Sequence, residues 1–98
     1  MTSAHEDDRV RLHAVVYGLV QGVNFRANTQ REAVQHGLTG WVANRSDGTV
    51  EVVAEGARSR VEAFERYLYR GPRLAEVERV DSTYDRASGQ FGGFNIRY

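Results

Sequence analysis

The sequence predicts an α+β fold in which two helices lie on one face of an antiparallel sheet, in the order βαββαβ with one further strand. Several short stretches alternate between apolar and polar residues, as half-buried strands do. Two longer stretches between them carry apolar residues at helical spacing. An Asp-Gly pair at 47–48 predicts a tight hairpin between two of the strands.

The chain begins with a polar stretch that leads into the first strand. Residues 1–8 are polar and charged, so we expect a disordered leader before a single domain over 9–98. Apolar residues alternate from Val10 to Val16, which is typical of a strand with one buried face. Gly18 is expected to end this strand.

The first helix is predicted from Phe25 to His36. Asparagine is favoured at N-caps, so Asn24 is expected to precede the helix, and glycine often follows the last helical turn, as expected of Gly37. The buried face is expected to carry Phe25, Thr29, Ala33 and Val34.

Two strands and a second helix follow. The strands are predicted over 41–44 and 49–55, joined by the turn at 45–48. The helix is predicted from Ala57 to Arg70 and ends at Gly71-Pro72. Its expected core stripe is Val61, Phe64 and Leu68.

The last two strands are predicted at 77–85 and 94–98, with a loop over 89–93 between them. Val77 and Val80 are three residues apart, so the alternation slips between them. This slip indicates a bulge or a late start of the strand.

The composition excludes several kinds of chemistry. Thirteen arginines balance thirteen acidic residues, so no basic excess points to nucleic acid. The sequence has no lysine, which excludes a Schiff base, and no cysteine, which excludes disulfides, thiol catalysis and zinc–thiolate sites. No apolar run approaches the ~18 residues of a membrane span, and the acidic start is unlike a signal peptide. We therefore expect no membrane contact and a cytoplasmic location.

The segment before the first helix has the features of an anion-binding loop. Gly18 and Gly22 let successive backbone N–H groups converge, and a helix N-terminus follows them. Arg26 lies in the first helical turn, where a cation opposes the helix dipole by roughly 0.3–1 kcal/mol. A bound phosphate would compensate this charge. A plain glycine turn with a solvated arginine remains the alternative.

Asn44 is a second candidate, at the end of a strand and just before the Asp-Gly turn. A side chain at this place is held by a rigid element. An asparagine there can also serve only the chemistry of the turn.

Together the two segments resemble the acylphosphatase family. The resemblance rests on Gly-x-Val-Gln-Gly-Val-x-Phe-Arg at 18–26 and Gly-Trp-Val-x-Asn-x-x-Asp-Gly-x-Val-Glu at 40–51, and the tail 94–98 is similar to the family's last strand. It implies a ferredoxin-like sandwich and a metal-independent hydrolase without cofactors, which converts acyl phosphates to a carboxylate and inorganic phosphate. Asn28 departs from the pattern, because many members carry an aromatic residue there.

The resemblance also implies roles and partners. Arg26 is implied to bind the phosphate, and Asn44 to orient the attacking water. The backbone amides of the loop are implied to complete the phosphate cradle: Gln21, Gly22, Val23, Asn24 and Phe25. The expected partners are a small acyl phosphate and inorganic phosphate, which is both product and competitive inhibitor. We expect a monomer.

Other polar residues have simpler interpretations. His5, His13 and His36 share no metal-ligand spacing. Glu51 and Glu55 are on the outer phase of their strand and are expected to be solvated. Trp41 is expected to anchor the core or to pack beside the site, and Arg97 is a further candidate for contacting an anion.

Binding modules with the same topology are the rival class. An RNA-recognition domain needs aromatic residues and basic charge on its third strand, whereas residues 49–55 contain no aromatic residue and two acids. A small-molecule regulatory domain, including an anion sensor that binds phosphate without turnover, remains open.

Overall fold

The computed structural model describes residues 8–98, so most of the expected leader lies outside the described residues. The described chain forms five strands and two helices, which confirms the predicted order. These elements are β1 (Arg9–Leu19), α1 (Phe25–Gln35), β2 (Thr39–Asn44), β3 (Val50–Ala57), α2 (Arg58–Arg70), β4 (Glu76–Arg86) and β5 (Phe94–Arg97). Neither helix of this part of the chain is long and apolar enough to cross a membrane.

The sheet has the strand order β4-β1-β3-β2-β5. Neighbouring strands are antiparallel, except that β5 runs parallel to β2. The chain leaves β4 at one edge of the sheet and joins the opposite edge as β5. Arg97 then pairs with Ala43, so the end of the chain lies next to Asn44.

The core lies between the sheet and the two helices. Every second residue of β1 faces it, as the alternation predicts, and so do the predicted Val61, Phe64 and Leu68 of α2. The Phe64 ring contacts the rings of Phe94 and Tyr67, with centroids 6.1 Å and 6.2 Å apart. Full burial of one such side chain contributes about 1.5–3 kcal/mol. The Phe25 ring of α1 lies 6.5 Å from the Tyr67 ring, so this packing holds both helices on one face of the sheet.

The first helix begins and ends close to the predicted residues, but two details differ. Asn24 precedes α1 with φ 63° and ψ 26°, and its side chain makes no capping hydrogen bond. Val34 is 60% exposed, contrary to the prediction. The buried residues Phe25, Thr29 and Ala33 are four apart, and Val34 is turned about 100° away from Ala33 around the helix axis.

Gly18 does not end β1, which continues to Leu19. The register with β4 shifts here, because Tyr17 pairs with Arg79 while Gly18 pairs with Val77. One residue of β4 is therefore left over, which confirms the bulge predicted from the slipped alternation. A Cβ on Gly18 would lie 2.1 Å from the Glu76 carbonyl oxygen. Glycine at this position therefore allows β1 and β4 to approach closely.

Glu55 is buried, so the expectation of a solvated side chain is wrong. Its carboxylate accepts hydrogen bonds from Ser88 N and Oγ at 2.9 Å and 2.8 Å and from Gly89 N at 3.0 Å. Burial raises the pKa of Glu55, but these hydrogen bonds outweigh it, and the pKa is lowered overall. The segment before β5 thus covers part of the sheet face that is turned away from the helices. Glu51 remains half-exposed, and its Oε2 lies 2.7 Å from Nε2 of His13.

Candidate active site

A cleft of about 240 Å³ lies where α1 begins. The loop before α1 forms one wall, and the ends of β2 and β5 form the other. Arg26 and Asn44, which are 18 residues apart in the sequence, both line it. The full lining is Val20, Gly22, Asn24, Phe25, Arg26, Ala27, Asn44, Ile96 and Tyr98.

The loop before α1 has free backbone donors beside this cleft. Gly22 and Asn24 have φ angles of 75° and 63°, which curl the backbone ahead of the helix. Within residues 8–98, no N–H from 21 to 27 donates a backbone hydrogen bond, and the first to do so is that of Asn28, to the Asn24 oxygen at 3.1 Å. Free N–H groups at a helix N-terminus favour an anion.

Asn28 strengthens the start of the helix. Its Nδ2 donates to the backbone oxygen of Asn24 at 2.8 Å, and its Oδ1 accepts from Arg31 NH1 at 3.0 Å. The Asn28 side chain therefore adds a polar contact to Asn24, the left-handed residue that precedes the helix.

Arg26 brings a positive charge into the cleft. Its NH1 lies 3.5 Å from the Arg97 carbonyl oxygen, and its guanidinium carbon lies 4.8 Å from the centre of the Tyr98 ring. Among the residues that the structure describes, none forms a salt bridge with it, and the first turn of α1 has no acid. A hydrogen bond of 3.5 Å is weak, so the guanidinium keeps most of its donors for another acceptor.

Asn44 is the last residue of β2, where its backbone pairs with Val50. The side chain is exposed, and its amide has no hydrogen bond to any part of the chain between 8 and 98. The turn is stabilised instead by Asp47, whose Oδ1 accepts from Thr49 Oγ1 at 2.6 Å and Thr49 N at 3.0 Å. These hydrogen bonds from Thr49 lower the pKa of Asp47. The Asn44 amide is thus held by a rigid strand and free to bind a small polar molecule.

Two of the predicted cradle residues turn their side chains elsewhere. The Gln21 side chain donates to the backbone oxygens of Arg45 and Thr49, at 2.8 Å and 2.9 Å. Val23 packs against the core. Neither residue lines the cleft, in contrast to the other predicted cradle residues Gly22, Asn24 and Phe25.

The last strand contributes contacts that the sequence did not predict. Ile96 and Tyr98 line the cleft, whereas the guanidinium of Arg97 lies 4.3 Å from the centre of the Trp41 ring. The Arg97 side chain therefore packs outside the cleft lining, and only its carbonyl oxygen reaches Arg26. Trp41 is not part of the core either. No local pattern could reveal these positions, because they depend on the parallel pairing of β5 with β2.

The described residues hold no group of three or more side chains that could bind a metal ion. His13 pairs with Glu51, and His36 lies 3.6 Å from Glu32 one helical turn away. His5 lies outside the described residues.

The fold and the cleft define a ferredoxin-like α+β protein with a cradle suited to a small anion. A family model described as Acylphosphatase matches residues 12–96. The acylphosphatase of Pelotomaculum thermopropionicum is 48% identical over 90 residues, covering 92% of this chain and 98% of the relative. That of Pseudomonas aeruginosa is 51% identical over 89 residues, covering 91% and 97%. The crystal structure of acylphosphatase from Bacillus subtilis has a TM-score of 0.88 at 36% identity, covering 91% of this chain and 99% of that one.

The chain belongs to the acylphosphatase family, whose members hydrolyse acyl phosphates. This confirms the resemblance inferred from the two motifs, together with the ferredoxin-like fold. These comparisons favour an enzyme over a binding module without turnover, because both relatives are named as acylphosphatases and match nearly the whole chain.

Proposed function

We propose that this chain cleaves the bond between phosphate and carboxylate in acyl phosphates by means of Arg26, the cradle and Asn44. Arg26 and the free N–H groups of residues 21–25 hold the phosphoryl oxygens, and Asn44 orients the attacking water. One observation carries the proposal: an uncompensated guanidinium, free helix N-terminal donors and an unpaired amide on a rigid strand line the same cleft.

The electrostatics of the cleft favour a phosphate group. Arg26 opposes the dipole of α1 when the cleft is empty, and a bound anion reverses this penalty. A guanidinium binds two phosphate oxygens through parallel hydrogen bonds, while the N–H groups of the loop donate to the remaining phosphoryl oxygen. The cradle therefore stabilises the charge of the phosphoryl group during transfer.

The chemistry of the leaving group explains how so few residues suffice. An acyl phosphate expels a carboxylate, whose conjugate acid has a pKa of about 4, so it leaves without a general acid. The loose transition state of phosphoryl transfer asks little of the attacking water. Positioning and charge stabilisation are then enough, and a neutral amide such as Asn44 can provide the positioning. A phosphomonoester expels an alkoxide and would be a poor substrate.

Several consequences belong to the same proposal. Inorganic phosphate, which leaves the same cradle, acts as a competitive inhibitor. The acyl group is held loosely, because the described cradle contacts serve the phosphoryl end. We propose further that the chain works as a monomer in the cytoplasm, and its lack of cysteine fits a reducing compartment.

The deciding experiment compares acetyl phosphate with phenyl phosphate as substrates of the wild type, Arg26→Ala and Asn44→Ala. We expect turnover of acetyl phosphate only. Arg26→Ala should damage both KM and kcat, whereas Asn44→Ala should lower kcat about 100- to 1000-fold with little change in KM. Thermal melts accompany the kinetics, because Asn44 precedes a turn.

Matched controls exist on the same elements. Arg31→Ala removes another arginine of α1, and Asn95→Ala removes another exposed asparagine of a strand, and neither residue lines the cleft. Both should keep near wild-type kinetics. Binding of phosphate without any turnover of acetyl phosphate would instead identify an anion sensor, and wild-type kcat in Asn44→Ala would contradict its role.

A further inference from the structure

The Gln21 side chain links the loop before α1 to the hairpin that follows Asn44. Its Nε2 donates to the carbonyl oxygens of Arg45 and Thr49 at 2.8 Å and 2.9 Å. An amide nitrogen has two hydrogens, so both are used by the protein. The side chain therefore has no donor left for a substrate.

The two acceptors belong to the residues that close the hairpin. Arg45 follows Asn44 directly, and its N–H donates to the Thr49 oxygen at 2.8 Å. Gln21 thus holds both sides of the turn at the point where β2 ends.

No strand pairing makes this connection. The ladder between β1 and β3 ends with Val16 opposite Val50, before the chain reaches the loop. Beyond it, Gly22 has a φ of 75° and no atom within 4 Å of the place where a Cβ would be, so this part of the loop is loosely packed. The Gln21 amide therefore fixes the position of the loop relative to the hairpin.

We propose that Gln21 is a positioning residue, which fixes the phosphate cradle relative to Asn44 and acts on the reaction through Asn44. The inference rests on the proposed function, since it presumes that Asn44 orients the water. Catalysis of this kind is sensitive to distance, because a displacement of about 1 Å can cost on the order of 100-fold in rate. Loss of the link leaves Arg26 and the N–H groups intact, so it should affect turnover and not phosphate binding.

A double-mutant cycle tests this coupling. Gln21→Met keeps the length of the side chain and removes both hydrogen bonds. We expect it to lower kcat for acetyl phosphate about 10-fold while KM and inhibition by phosphate change less than about twofold. In the Asn44→Ala background, the same substitution should change kcat by less than about twofold, because the group that it positions is absent.

Gln30→Met is the matched control. Gln30 Nε2 also donates to a backbone oxygen, that of Phe94 at 2.9 Å, but it does not contact the hairpin. Its effect on kcat should be the same with and without Asn44. Gln21→Leu provides a second variant without the amide donors and without a new charge beside the cradle, for use if Gln21→Met does not fold.

The outcomes separate the two proposals. If Asn44→Ala lowers kcat and the effects of Gln21→Met and Asn44→Ala simply multiply, Gln21 does not act through Asn44 and only the present inference fails. A raised KM at unchanged kcat in the Gln21 variant that folds would also overturn it. If Asn44→Ala keeps wild-type kcat, the proposed role of Asn44 fails, and the positioning role of Gln21 falls with it.

Discussion

Arg26 occupies a place that is unfavourable for a cation in the empty protein. It lies in the first turn of α1, where the dipole is positive, and no acid in that turn offsets it. Its guanidinium rests on the Tyr98 ring, 4.8 Å from the centroid, and this contact orients it without neutralising it. At the residue scale, the positive charge of Arg26 is therefore uncompensated, and a bound anion would stabilise it.

Arg26→Lys should rescue little of this function. An ammonium retains the charge, but it cannot reproduce the planar fork that binds two phosphate oxygens. We expect kcat/KM to fall on the order of 100-fold. At a phosphate concentration of 100 times Kd, binding should stabilise the wild-type protein by about 2.7 kcal/mol, which raises its Tm. Arg26→Lys should show little of this rise in Tm at the same phosphate concentration. Arg31→Lys is the control, and equal phosphate stabilisation in Arg26→Lys would contradict the assignment.

Glu55 is the second residue whose environment predicts a measurable effect. Its folded pKa lies below the ordinary value of 4.5, because Ser88 and Gly89 donate to the carboxylate. A lowered folded pKa contributes stability that is present above the unfolded pKa and is lost as the pH falls through the folded pKa. Glu55→Gln should therefore cost about 1–3 kcal/mol in the free energy of unfolding at pH 7.

This difference between wild type and Glu55→Gln should shrink below pH 4.5, as urea unfolding at a series of pH values would measure. Glu51→Gln is the control, because Glu51 lies on the same strand but is only half-buried. A difference that stays constant down to pH 3 would contradict the role of the carboxylate charge.

At the scale of the elements, the antiparallel pair of β2 and β3 depends on a glycine. Gly40 has a φ of 138°, and a Cβ there would lie 1.9 Å from the Val53 oxygen. Its N–H also donates to the Gly93 oxygen at 2.9 Å, which attaches the segment before β5. One position thus serves both neighbours of β2.

Gly40→Ala should be far more destabilising than Gly48→Ala. Gly48 also has a positive φ, of 92°, but no atom lies within 4 Å of its would-be Cβ. Gly48→Ala should cost about 1–2 kcal/mol from backbone conformation alone, whereas Gly40→Ala adds a clash between backbones and should cost roughly 3 kcal/mol or more. Urea unfolding of both variants measures this. Equal losses in the free energy of unfolding of the two variants would show that the sheet can shift at Gly40.

At the scale of the whole molecule, the topology of the sheet over residues 8–98 brings distant segments to one of its ends. Arg26 from α1, Asn44 from β2 and the residues after Phe94 meet there. Under the proposed mechanism these side chains and backbone donors are sufficient, since a carboxylate leaves without a general acid or a metal ion.

Turnover should therefore survive exhaustive chelation. Protein dialysed against a strong chelator should hydrolyse acetyl phosphate at the wild-type kcat. Activity that disappears in the chelator and returns with magnesium or zinc would mean that the reaction uses a metal ion. Untreated protein in the same buffer is the control.

Local patterns predicted the elements and singled out Arg26 and Asn44 as candidates, whereas the roles expected of these two residues came from the resemblance of both motifs to a known family. Alternation placed β1, the spacing of Val61, Phe64 and Leu68 placed α2, and the Asp-Gly pair placed the hairpin, because each signal acts over a few neighbouring residues. Arg26 stood out because its charge conflicts with the helix dipole, which is also a local effect.

Long-range packing decided the rest. Gln21 meets the hairpin across 28 residues, Arg26 meets Arg97 across 71, and Glu55 is buried by a segment 33 residues away. Periodicity states which face of a strand a residue is on, but not which distant segment covers that face. The burial of Glu55, the parallel pairing of β5 and the link from Gln21 to the turn after Asn44 therefore follow from tertiary contacts alone.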